Sequence, residues 1–215
     1  MTTTANDTPV DNILAARHVA RRCRKAALAT VDENGAPYVS LITLAFDHDL
    51  SPILYISAMA QHTRNLAHDP RVSLLLDGTD GHPNPQTGSR VTLVGDARKV
   101  DNPRLAKRFI ARIPGAAMYT QLPDFAVWRI VPAKAHFVGG FGRAVWIDSP
   151  FGLDTYAVAA FTQGAESAAE QAGGDVIAID PDGYDLIGDD GYVRVNFAGP
   201  VATPEEAMGM IAAGT

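Results

Sequence analysis

The chain is predicted to be mainly β with some α: a β-barrel of short antiparallel strands, followed by a small α+β domain. Three features point to this. Short apolar or alternating runs recur between turn sequences up to about residue 139, with few helical patterns among them. Near Asp148 to Gly152 the pattern shifts to an Ala-rich helical stretch followed by three short strands. At 215 residues, 47% hydrophobic and 20% charged, the chain has the material for a main core and a lesser one.

The elements follow in order. Thr8-Pro9 reads as the cap and first residue of a helix running to about Lys25, with Ile13, Ala16, Ala20 and Cys23 as its apolar stripe and Arg17, Arg21, Arg22, Arg24 and Lys25 as a solvated basic face. Ala26 to Val31 and Tyr38 to Phe46 form a hairpin about Asn34-Gly35. Ile53 to Ser57 is a third strand, and Thr63 opens a short helix that stops near Asp69-Pro70. Arg71 to Leu76 is a fourth strand, Asp77 to Ser89 a long exposed loop, and Arg90 begins a strand reaching toward Lys99. Asn102-Pro103 caps a helix to about Ile113, and Phe125 to Val131 and Ala135 to Gly139 are two further strands. This gives a barrel domain over 8–147 and a small α+β domain over 150–215. In the latter, a helix from Asp154 to Ala172 precedes strands Val176 to Ile179, Tyr184 to Ile187 and Tyr192 to Phe197, and Thr203 caps a last helix. Asp180-Pro181-Asp182-Gly183 and Gly188-Asp189-Asp190-Gly191 read as tight turns between those strands.

Composition narrows the function. The net charge of -6 disfavours nucleic acid as a partner and leaves small molecules as the expected ligands. No apolar run approaches the ~20 residues of a membrane span, and the polar start carries no export signal. A single cysteine, Cys23, makes no internal disulfide, so the expected compartment is the cytoplasm. Dinucleotide fingerprints, phosphate loops, nucleophile elbows and zinc-protease motifs are all missing. His62 and His68, six apart, lie about 240° around a helix from each other and make a poor metal pair.

One local pattern carries chemistry. A strand ending in Ser57 leads into a helix at Thr63-Arg64, which offers free backbone N–H groups, two hydroxyls and a guanidinium suited to a phosphate. The bland alternative has Thr63 as a plain N-cap and Arg64 as a surface charge.

The run Ala27-Leu28-Ala29-Thr30-Val31-Asp32-Glu33-Asn34-Gly35-Ala36-Pro37-Tyr38, then Tyr55-Ile56-Ser57 with His62-Thr63-Arg64-Asn65-Leu66 and Asp69-Pro70-Arg71, resembles the FMN-binding split barrels of the pyridoxamine 5'-phosphate oxidase-like superfamily. The segments Gly139-Gly140-Phe141-Gly142-Arg143 and Ile179-Asp180-Pro181-Asp182-Gly183-Tyr184 resemble the branch that joins this barrel to a small C-terminal domain and includes the HugZ-type haem oxygenases. The resemblance implies a split β-barrel, a homodimer with a cofactor at each shared interface site, and FMN as that cofactor, in a flavin-dependent oxidoreductase of unknown substrate. It maps cofactor contacts onto Ser40, Thr43, Ser57, His62, Thr63, Arg64 and Arg90, with Arg143 near the dimer cleft where it could hold a propionate or phosphate. The sequence departs from the oxidases in having Gln61-His62 and Ser40 where basic residues grip phosphate. The alternative is a haem-binding, haem-degrading or non-catalytic ligand-binding protein. Haem breakdown on a histidine near the chain end is disfavoured, since no His follows His136.

Overall fold

The computed structural model describes residues 11–189 and 191–214. Its main sheet is curled into a half-barrel, as the split-barrel expectation requires. The strands are β1 (Lys25–Val31), β2 (Pro37–Thr43), β3 (Ala45–Phe46), β4 (Pro52–Ser57), β5 (Arg71–Asp77), β6 (Arg90–Lys99), β7 (Phe125–Val138) and β8 (Ala144–Asp148). They run in the order β2-β1-β5-β6-β7-β4-β3, with β8 pairing β7, and every pairing is antiparallel. The concave side holds Leu28, Ile42, Leu74, Leu93 and Phe137 in one core. Helices α1 (Asn12–Arg22) and α2 (Gln61–His68) pack against it, while α3 (Pro103–Arg112) covers a second core around Phe109 and Ile53. Behind these, α4 (Thr155–Ala172) and α5 (Pro204–Ala212) pack on a three-stranded sheet of β9 (Val176–Asp180), β10 (Gly183–Gly188) and β11 (Gly191–Asn196).

Several boundaries differ from the sequence expectation. Asp11 caps α1, its side chain accepting from Ile13 N and Leu14 N, while Thr8 and Pro9 lie outside the described residues, as does Asp190 of the expected turn. The two strands expected on either side of Pro132 are one continuous strand, because the proline sits at a bulge where the β6 register shifts between Val94 and Gly95. Gly95 makes this possible: a Cβ there would lie 2.2 Å from the Val131 carbonyl oxygen. Strand β8, not anticipated, closes a hairpin with the end of β7.

The largest correction concerns charge. Arg17 and Arg21 are not on a solvated face; both are buried, and they clasp the turn between β9 and β10. Arg17 Nη2 donates to Asp182 Oδ1 at 2.8 Å, Arg21 Nε donates to Asp182 Oδ2 at 2.6 Å, and Arg21 Nη2 donates to the His48 carbonyl at 2.8 Å. Arg194 forks onto both oxygens of Asp180 at 2.7 and 2.8 Å, and Arg112 stands 3.2 Å from Asp185 Oδ2. Burial by itself would raise the Asp180 carboxyl, but the charges of Arg194 and Arg21 outweigh it and hold the group far below the usual carboxylate range. Several surplus guanidinium donors go to main-chain carbonyls, as Arg108 Nε does to Phe46 O at 2.7 Å.

The convex face is the opposite of buried. Across it run two cross-strand rows: Leu41, Ala27, Leu75, Thr92, His136, Trp146, and Val39, Ala29, Ser73, Val94, Lys134, Asp148. Leu41 is 76% exposed, Val39 62% and Trp146 59%, so exposed apolar side chains stand on β2 and β8 at the two sides of this face, with Leu75 on β5 and the polar Thr92, His136 and Lys134 between them.

Two stability predictions follow from this charge arrangement. Asp182→Ala leaves Arg17 and Arg21 buried without their carboxylate and is expected to cost about 3–5 kcal/mol in urea unfolding, whereas Arg22→Ala, on the exposed side of α1, is expected to change stability by less than about 0.5 kcal/mol. His48 lies between the barrel and α4; its burial, and then the Arg108 charge, push it down from 6.5 to about 4. Glu166 Oε1, 3.7 Å from its Nε2, is too distant for a hydrogen bond. A folded-state value below the unfolded one means that the unfolded chain takes up the proton first as pH falls. Stability is therefore full above about pH 6.5 and declines toward pH 4, by on the order of 3 kcal/mol from this residue. His48→Gln is expected to flatten that stretch of the stability-pH curve, and an unchanged slope would remove His48 as its cause.

Candidate functional site

The sequence-predicted residues fall at two ends of the half-barrel. At the first end, β4 finishes at Ser57, which pairs with Phe125 at the start of β7, and the chain turns through Ala58 to Ala60 into α2. The helix begins two residues earlier than expected, so Thr63 is in its first turn rather than at its cap. Ala60 is the N-cap and offers no side-chain hydrogen bond. What positions α2 is packing and one polar tie: Leu66 is buried in the barrel core, and Asn65 Nδ2 donates to Thr30 Oγ1 at 2.9 Å.

The side chains at this end are unevenly employed. Ser57 Oγ donates to Asp124 Oδ2 and accepts from Met59 N at 3.0 Å. Ser40 Oγ and His62 Nδ1 are 3.1 Å apart, while His62 Nε2 and Thr63 Oγ1 are buried with no hydrogen-bond partner among the described residues. Burial lowers His62 from 6.5, which favours the neutral imidazole. Arg64 is exposed, and so is Met59, at 72%. A phosphate here would meet uncapped N–H groups and Arg64, but also the Asp124 carboxylate, with the Ser57 hydroxyl already engaged.

At the second end, the β7-β8 hairpin turns through Gly139 to Arg143. Gly140 and Gly142 have φ of 121° and 76°, and Phe141 between them is 96% exposed. Arg143 Nε donates to Asn12 Oδ1 at 2.5 Å, its guanidinium lies 5.3 Å from the Phe137 ring, and its Nη2 is buried with no partner among the described residues. Arg90 Nη1 donates to the carbonyls of Gln86 and Gly88, both at 3.2 Å. With Phe141 these arginines line an open cleft of about 590 Å³.

Thus Ser40, Ser57, His62, Thr63 and Arg64 come together, and Arg90 and Arg143 come together elsewhere. Thr43 joins neither; it lines a separate cleft of about 560 Å³ with Arg24 and Tyr192. Sequence reasoning missed Asp124, whose contact with Ser57 is 67 residues away in the chain and leaves no local signal. It also missed the exposed Phe141, although the flanking glycines of Gly-Phe-Gly were the available clue. Among the described residues no group of three or more His, Cys, Asp or Glu is arranged to hold a metal ion.

Comparison with known proteins agrees with this fold. The family model for pyridoxamine 5'-phosphate oxidase matches residues 15–139, and the chain belongs to that family. Among relatives, the haem oxygenase HOZ of Arabidopsis thaliana, a chloroplastic protein, is 34% identical over 58% of this chain, an alignment that spans only 39% of the relative. Among solved structures, the Agrobacterium tumefaciens protein Atu2129, of unknown function, superposes with a TM-score of 0.76 at 28% identity, covering 97% of this chain and 98% of that one. A haem-binding protein from Mycobacterium smegmatis does so at 0.63 with 26% identity, covering 96% and 98%.

Proposed function

We propose that the chain is a haem-binding protein of the split-barrel family that works as a homodimer, in preference to the FMN-dependent oxidoreductase that the motifs alone implied. The observation that carries this reading is the end-to-end match to the haem-binding mycobacterial protein, and the likeness to a haem oxygenase over the barrel supports it. The first end of the barrel agrees: a carboxylate beside the expected phosphate position opposes FMN.

Groups of the kinds a haem uses are present, at two separate ends of the barrel. A haem needs a ligand for iron and cations for its propionates. His62 offers a ring nitrogen without a partner, with its other nitrogen against Ser40 as metal-bound histidines require, and Arg143 offers an unpartnered guanidinium nitrogen, with Arg90 beside it. Bound haem would supply iron-centred chemistry; the protein's part is to keep His62 neutral and the carboxylates paired. The dimer reading is supported by the exposed Val39, Leu41, Leu75 and Trp146 on the convex face. The compartment we favour is the cytoplasm, consistent with a free, buried Cys23. No helix among the described residues is long and apolar enough to cross a membrane.

Titrating the purified chain with haemin and, separately, with FMN tests the reading. A shifted Soret band saturating with haemin is expected, and His62→Ala is expected to move the band and weaken binding about tenfold or more. Tight FMN binding with an unchanged haemin spectrum would restore the flavoprotein reading.

A further inference from the structure

We propose that the cleft at the junction of the two sheets, apart from both ends of the barrel, is a binding site for a small aromatic monocarboxylate. The site does not depend on the haem reading.

This cleft, of about 560 Å³, lies where the end of α1 and the start of β1 meet the end of α3 and β11. Its volume falls within the range of small-molecule sites. The walls are of two kinds. Cys23, Ile113 and the ring of Tyr192 are apolar, while Arg22, Arg24 and Lys25, close together along the chain, bring three cations to one opening. Tyr192 is a fixed wall: its hydroxyl accepts from Arg112 Nη2 at 2.6 Å and donates to Asp185 Oδ1 at 2.7 Å. Burial pushes its ionisation above the ordinary tyrosine range, so the ring stays neutral.

The three cations stand apart from their neighbours. Arg17, Arg21, Arg108, Arg112 and Arg194, packed at the same junction, each meet a carboxylate within 4.0 Å. No ion pair engages Arg22, Arg24 or Lys25 among the described residues; Arg22 Nη2 donates to the Gly78 carbonyl at 2.9 Å and Arg24 Nη2 to the Arg112 carbonyl at 2.7 Å. Arg24 Nε is buried with no hydrogen-bond partner, and the guanidinium is held over the Tyr192 ring, 4.4 Å from its centroid. An arginine fixed by a carbonyl and a ring has already lost the freedom that binding costs a mobile one.

The charge of the ligand follows from the rest of the lining. Asp77 and Asp80, both exposed, leave the cleft with one net positive charge. Asp77 Oδ1 is engaged, accepting from Thr79 N at 2.9 Å and Thr79 Oγ1 at 2.6 Å. A single carboxylate matches that balance, whereas a phosphate dianion is repelled by two aspartates. The apolar walls and the stacked guanidinium favour an aromatic body on that carboxylate.

Calorimetric titration of the full chain with 2-naphthoate tests the site, with uncharged 2-naphthol and inorganic phosphate as comparison probes. Naphthoate is expected to bind about tenfold more tightly than either, and to lose about tenfold in Arg24→Gln and about threefold in Lys25→Gln, both of which titrate with haemin as the unaltered chain does. Thr43→Trp fills the cleft from an exposed position on its lining and is expected to abolish naphthoate binding without moving the urea midpoint. Naphthoate that binds Lys25→Gln and Thr43→Trp as well as it binds the unaltered chain, or that fails to bind at millimolar concentration, overturns the site. Phosphate binding as tight as naphthoate overturns the ligand class. Haemin binding that falls in step with naphthoate binding across the two charge variants would put the probe in the haem site and overturn the separate cleft.

Discussion

Buried guanidinium groups cannot be left unpaired, and in this chain that requirement ties the two sheets together. Arg17 and Arg21 of α1 and Arg108 and Arg112 of α3 point away from the barrel into the turn region of β9 and β10, where Asp180, Asp182 and Asp185 are fully buried. Removing an ion from water costs several kcal/mol, so such a cluster persists only when each carboxylate is met by more than one donor and most leftover donors find an acceptor. Asp182 receives both Arg17 and Arg21, and Asp180 receives Arg194 with Arg21 3.2 Å away. The arrangement fixes one relative placement of these elements, since a shift of one turn would strand several charges together.

The same helix carries this constraint to the candidate site. At its middle, α1 is held by Asp182 and by the Phe151 carbonyl, which accepts from Arg17 Nη1 at 3.1 Å; at its start, Asn12 holds Arg143. The small sheet thus acts on the hairpin cleft through α1 without touching it. The bulge at Gly95 and Pro132 does the complementary job, letting one strand serve β4 at its start and β8 at its end, so that the two groups of candidate residues stand at its two extremities.

Much of the fold was legible because it is written locally. The Asn34-Gly35 hairpin, the Asn102-Pro103 cap and the Thr203 cap depend on neighbours a few residues apart, and all three are found as expected. The buried role of Arg17 and Arg21 was not, because an arginine on a helix reads as solvated unless its partner, here 165 and 161 residues away, is known. The continuous β7 was hidden by Pro132, whose cost is removed by a glycine on the neighbouring strand. At the site, the pattern from Ser57 to Arg64 marked the right corner, yet its chemistry turns on Asp124 and on which nitrogen of His62 is free, neither of which a motif encodes.

The central claim is that the chain takes haem rather than FMN. Native mass spectrometry of the chain mixed with equimolar haemin and FMN tests it directly, by reading which ligand the protein carries. The account predicts protein ions carrying haem and none carrying FMN. Protein ions that carry FMN in preference to haem would contradict it.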